Sequence, residues 1–139
     1  MEVPQILGRI YQKAGDELYL VFRVLVGFLF ALHGSQKLFG AFTDMGAVEL
    51  GSLFWFAGVI ELFGGAAIAL GIFARLVASI TTIEMLVAYF MAHLPELVFP
   101  IERGGGEVPL LFIAAFLVIL IYGSGKWGIE RLITRREIF

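Results

Sequence analysis

Eight ionisable side chains lie within, or at the edges of, segments apolar enough to span a bilayer: Arg23, His33, Lys37, Glu61, Arg75, Glu84, His93 and Glu107. Carboxylates and imidazoles at such depth can hold a polar ligand or pass protons, and a lysine can donate hydrogen bonds to a carbonyl or an anion. A charge near the middle of a hydrocarbon core costs at least about 2.5–3.5 kcal/mol. Such groups therefore face a bundle interior, pair with one another, and mark a pathway or site.

Their spacing sorts them. On a helical wheel, Arg23, Gly27, Phe30, Gly34 and Lys37 fall within about 80° of arc, with His33 and Val26 on the flank. One face thus joins small residues, which admit a neighbouring helix, to most of the charges. His33 and Lys37 are one turn apart. They either donate to a bound anion or carbonyl, or Lys37 snorkels to the interface and His33 only packs. Glu61 sits about 15 Å into the second apolar run, with Gly58, Gly64 and Gly65 on its face. It either takes up a proton or finds a cation, and Arg23, His33 and Lys37 are the candidate partners. An ion pair and a ligand role both fit it. Glu84 is about 13 Å into the third run. Two carboxylates at similar depth repel unless a cation sits between them. His93 is about 180° around the same helix, at its outer end. Glu107 opens the fourth run, where a carboxylate complements the helix dipole; a site role beside Lys37 and His93 is the alternative. There is no metal-ligand spacing, no phosphate-binding glycine loop and no serine nucleophile elbow. With no cysteine in the chain, disulfides, thiolate ligands and Cys-x-x-Cys redox pairs are excluded.

The elements that must position these groups follow from hydropathy. The chain has 139 residues, 60% of them hydrophobic, and a mean hydropathy of +0.93. A soluble domain holds roughly 45–50% apolar residues. A spanning helix needs about 20. Four fit, over 18–39, 51–73, 75–94 and 107–123, with a tight hairpin between the second and third. The first run is longer than the roughly 7–15-residue core of a signal peptide and lacks a small-residue cleavage site, so it is expected to remain as the first span. Before it, Val3, Ile6, Leu7, Ile10, Tyr11 and Ala14 form a helical apolar stripe. Residues 1–17 read as an amphipathic helix that either lies in the interface, docks a partner, or packs on its own bundle. The connection 95–106 holds Pro95, Pro100 and three glycines and reads as a loop. The tail 124–139 is basic, carries Trp127, and fits a helix at headgroup level.

Positive charge orients the chain. Arg9, Lys13, Arg75, Lys126, Arg131, Arg135 and Arg136 fall on the side of the tails and the 73–76 hairpin; Lys37 and Arg103 fall on the other. Four spans with that bias put both termini in the cytoplasm and the protein in the cytoplasmic (inner) membrane. The net charge of −2 gives no reason to expect nucleic acid.

The chain resembles the DoxX family of small four-span membrane proteins. The matching residues are Arg23 with His33-Gly34-x-x-Lys37, Gly58-x-x-Glu61-x-x-Gly64-Gly65, Gly71-x-x-x-Arg75, His93, and Gly106-Glu107. Gly123-Ser124-Gly125-Lys126-Trp127-Gly128-Ile129-Glu130 resembles the family's Gly-Pro-Gly-x-x-Ser-Leu-Asp ending, with Ser124, Gly128 and Glu130 as departures. The resemblance implies membrane oxidoreductase systems, including quinone-reducing ones, and relatives of similar fold that assist assembly of other membrane proteins. The expected fold is an all-α, four-helix antiparallel membrane bundle with an amphipathic N-terminal helix and a basic C-terminal tail. The expected function is a subunit supporting quinone-linked oxidoreductase chemistry, with His33, Lys37 and Glu61 converging on one pocket and Arg23, Glu84, His93 and Glu107 contacting the ligand. The alternative is a non-catalytic subunit or assembly factor of a larger membrane complex. Quinone is the implied cofactor; the lipid bilayer, other membrane subunits or further copies of the chain are the implied partners.

Overall fold

Residues 3–93 and 106–135 are described by the structure, a computed structural model. They form α1 (Val3–Phe39), α2 (Leu53–Leu70), α3 (Ala74–His93), α4 (Glu107–Tyr122) and a short α5 (Ile129–Thr134), with no strand among them. Three helices carry stretches long and apolar enough to cross a membrane: Ala14–Phe39, Leu53–Leu70 and Ala74–Met91. The apolar α4 has 16 residues, about 24 Å of helix.

The helix ends follow local chemistry. Ser52 caps α2, its side chain accepting from the Trp55 amide at 3.2 Å. At the other end Gly71 takes a left-handed conformation (φ 69°), and the Gly71 and Ile72 amides return to the Ile68 and Ala67 carbonyls. That closure lets α3 begin three residues later. By contrast, α1 does not break where an amphipathic helix was expected to end at residue 17. It runs uninterrupted from 3 to 39, because nothing near residue 17 removes a backbone hydrogen bond; Gly15 alone costs only about 1 kcal/mol. Of the N-terminal stripe, the side chains of Val3, Ile6, Leu7 and Ile10 lie outside the described residues.

The closest packing is between α1 and α2. A Cβ placed on Gly27 would come within 2.5 Å of the Ala69 amide nitrogen and the Gly65 carbonyl, and one on Gly65 would meet the Ala31 nitrogen and the Gly27 carbonyl at the same distance. The two backbones therefore touch, which only glycine permits. Gly34 repeats the contact two turns further along α1, where a Cβ would come within 2.6 Å of the Gly58 carbonyl, whereas a Cβ on Gly58 would meet only side-chain atoms of Lys37 and Leu38, at 3.0–3.2 Å. The glycine face read from the sequence is this seam. On its other side α1 meets α4 through Phe30, whose ring is 5.0 Å from Phe112 and 4.8 Å from Phe116. Ile68, Ala74, Ala78, Met85 and Ile119 complete the buried core.

Candidate functional site

Near the end of the seam away from the 71–73 hairpin, Lys37 of α1 forms an ion pair with Glu61 of α2. Glu61 is buried, and Lys37 keeps only a little over a quarter of its side chain exposed. Helical Cα–Cβ bonds tilt toward the N-terminus. That tilt carries the Lys37 ammonium from the end of α1 down to the level of Glu61, so the lysine turns inward rather than snorkelling out. The span-one cation that Glu61 required is Lys37.

Glu84 approaches the pair from α3 and lies within electrostatic range of both partners. Neither of its carboxylate oxygens, nor Glu61 Oε2, has a hydrogen-bond partner among the described residues. Lys37 and Glu84 are the ionisable residues of a groove of about 460 Å³ between α2 and α3; Phe54, Phe56, Ile60, Ile83, Val87 and Met91 supply most of its apolar wall. Its volume falls in the range of small-molecule sites, about 300–1,000 Å³. An apolar body with one donor and one acceptor inside it is the usual composition of a site for a ring bearing polar substituents.

The other expected site residues fall elsewhere. The His33 ring packs edge-on against Phe112, 5.6 Å between centroids, and does not line the groove. Arg23 is buried at the opposite end. Its guanidinium donates to the Ile68 carbonyl at 2.5 Å, the Ala69 carbonyl at 3.0 Å and the Trp127 carbonyl at 3.4 Å, so it ties α1 to the end of α2 and to the C-terminal segment. Arg75 donates to the Ile121 carbonyl. Glu107 is exposed in the first turn of α4. His93 is the last residue of α3, and its side chain lies outside the described residues, as does the 94–105 connection. Among the described residues no three histidine or acidic side chains gather into a site for a metal ion.

One important side chain was not singled out from its spacing. Glu130, in the tail read as a headgroup-level helix, is buried, and its carboxylate accepts from the Phe73 amide at 2.9 Å. Gly128 makes room for this fold-back, since a Cβ there would collide with Ser124 and crowd the Gly71 carbonyl. The sequence signal was an acidic residue within a basic tail, two residues after Gly128.

Helices of spanning length, a glycine seam and a buried Lys–Glu pair beside a second carboxylate define a small helical membrane protein with a polar core. The DoxX family model matches residues 18–94, which hold the whole seam, Lys37, Glu61 and Glu84. The chain belongs to the DoxX family. It is also similar to a protein of Haemophilus influenzae described as uncharacterized, 37% identical over 115 residues that cover 78% of this chain and 84% of that one. No solved structure matches the chain.

Proposed function

We propose that this DoxX-family protein is a subunit supporting quinone-linked oxidoreductase chemistry in the inner membrane, and that the α2–α3 groove receives the quinone headgroup. The observation that carries this reading is the pairing of one donor, Lys37, and one open carboxylate, Glu84, within an otherwise apolar groove. Lys37 donates to a ring carbonyl while Glu61 holds the ammonium in place. Glu84 accepts from a ring hydroxyl and exchanges its proton. Electrons come from a partner subunit. Proton exchange falls to Glu84 and not to His33 in this reading, because His33 faces Phe112 rather than the groove.

The test uses Trp55, beside the groove residues Phe54 and Phe56, as a fluorescent reporter in a Trp127→Phe background. A short-chain quinone should quench it saturably in detergent. Glu84→Leu and the groove-filling Ala57→Phe should each weaken binding about tenfold or more, which corresponds to about 1.4 kcal/mol, with melting little changed. Unaltered quenching in both variants would remove the quinone reading. The accessory-subunit reading draws on a different observation: Lys37 and Glu61 satisfy each other, and Arg23 and Glu130 are engaged with backbone. It calls for a fixed complex with other membrane proteins on mild solubilisation and no quinone in it.

The same reading has α1 to α4 crossing the membrane as four antiparallel spans with both termini cytoplasmic, supported by the seven-to-two Lys/Arg bias. Because the chain has no native cysteine, single cysteines report cleanly. In intact cells Met45→Cys, in the highly exposed 40–52 loop, should react with an impermeant thiol reagent, whereas Glu2→Cys and Ile138→Cys should not. Labelling of the tails would reverse the topology.

A further inference from the structure

A second cavity, of about 660 Å³, lies at the other end of the molecule, between the early turns of α1 and the turn that follows α4. Gln12, Asp16 and Tyr19 form its α1 wall; Tyr122, Lys126 and Arg131 face them. Its charge is lopsided. Lys126 reaches Asp16 only at 3.8 Å, with both side chains substantially exposed, and Arg131 makes no hydrogen bond or ion pair among the described residues. Two cations against one carboxylate leave a single positive charge for a ligand to meet.

The surroundings fix what kind of anion that is. The cleft lies at the junction of spanning and polar surface: Leu18 and Ile121, the immediate neighbours of Tyr19 and Tyr122, are exposed apolar residues on α1 and α4. The Tyr19 and Tyr122 rings meet at 5.5 Å between centroids, tilted by 44°, and the Lys126 ammonium sits 5.7 Å from the Trp127 ring. Aromatic rings with adjacent cations are the groups that sit at headgroup level. Basic pockets between helices on that side take anionic lipid headgroups. The cleft is also held in shape from behind. The Tyr19 hydroxyl donates to the Gly123 carbonyl at 2.6 Å, and Gly125 must lack a Cβ, which would stand 2.8 Å from the Tyr19 ring. Gly15, in contrast, opens onto empty space, with no atom within 4 Å of a Cβ placed there.

We infer that this cleft is a binding site for the phosphodiester headgroup of an anionic phospholipid. Lys126 and Arg131 hold the phosphate, and the acyl chains run along the apolar surface beside Leu18 and Ile121. The site is separate from the α2–α3 groove and does not depend on its function.

Thermal unfolding of the full chain in nanodiscs tests it. Discs of phosphatidylcholine containing phosphatidylglycerol should raise the melting temperature by several degrees over phosphatidylcholine alone, and raised salt should shrink the increment. Gly15→Leu, whose Cβ has no atom within 4 Å and whose side chain enters the cleft while both cations stay, should abolish the increment, with melting in pure phosphatidylcholine no lower than in the parent because a helical glycine is removed. Lys126→Gln with Arg131→Gln should do the same by removing the charge. Equal melting in the two lipid mixtures, an undiminished increment in Gly15→Leu, or an equal shift produced by inorganic phosphate alone would each overturn the inference.

Discussion

Lys37→Met should be among the most destabilising substitutions in the bundle, with Glu61→Gln next and Glu61→Asp milder. Breaking a buried ion pair by removing one partner typically costs about 3–5 kcal/mol, chiefly because the other charge stays behind. The two ends of this pair are unequal. Glu61 retains only 3% of its side-chain exposure against 28% for Lys37. Without Lys37, the carboxylate is left beside Glu84 with no counter-charge and must lose its own charge or draw in water. Without Glu61, the lysine can still swing toward the interface, so that loss falls at the lower end of the range. Lys37→Met combined with Glu61→Leu should recover much of either loss, because it removes both charges and leaves apolar bulk. Reversible unfolding in detergent, read as a double-mutant cycle, measures the coupling. A Glu61→Gln variant that melts like the parent, or a double variant as unstable as the sum of its parts, would show that the pair contributes nothing.

That Glu61 pairs with a cation of the first span was legible in the sequence from three local facts, although Arg23 and His33 stood beside Lys37 as candidates. A carboxylate deep in an apolar run needs a cation, glycines mark the face on which a neighbour can approach, and Lys37 lies on the matching face of α1. The groove beside it was not legible. Whether Glu84 meets a wall or a cavity depends on how closely α2 and α3 pack, and Ile60, Ile83, Val87 and Met91 read as ordinary lipid-facing residues in a linear chain. His33 failed to join the site for a related reason. It lay on the flank of the polar face, and a few tens of degrees of rotation send its ring to α4 instead of α2. The family signature, spread over all of the helices, exposed the fold; it could not reveal which of its charged members touch backbone rather than one another.

Arg23 is the clearest such case, and Arg23→Met should release the C-terminal segment as well as weaken the bundle. Its sequence context offered carboxylates as partners, but the guanidinium serves three carbonyls, at Ile68, Ala69 and Trp127. Backbone acceptors leave no mark in a sequence. Two of them lie in the last turn of α2, beyond the regular helical hydrogen bonds, and the Ile68 carbonyl shares its acceptance with the Gly71 amide. The third anchors the turn before α5, which Glu130 fastens again through the Phe73 amide. The guanidinium lies against Gly71, where a Cβ would stand 2.5 Å from its Nη1 and 2.7 Å from the Gly128 Cα. Arginine, hairpin and tail therefore form one interlocked unit. Hydrogen bonds to a charged group contribute about 1.5–3 kcal/mol each, and shared partners make them less than additive. We expect Arg23→Met to cost about 3 kcal/mol, with Glu130→Ala costing less. Arg23→Lys should recover only part of the loss, since one ammonium cannot span three carbonyls in a fixed fork. Brief trypsin treatment reports the release directly, because Lys126 and Arg131 are exposed cleavage sites held in place by this lock. Cleavage should be rapid in Arg23→Met and in Glu130→Ala and slow in the parent. Combining the two should destabilise by less than the sum, because either change alone frees the same segment. Full additivity, or parent-like resistance to trypsin in Arg23→Met, would mean that the tail is held by other contacts.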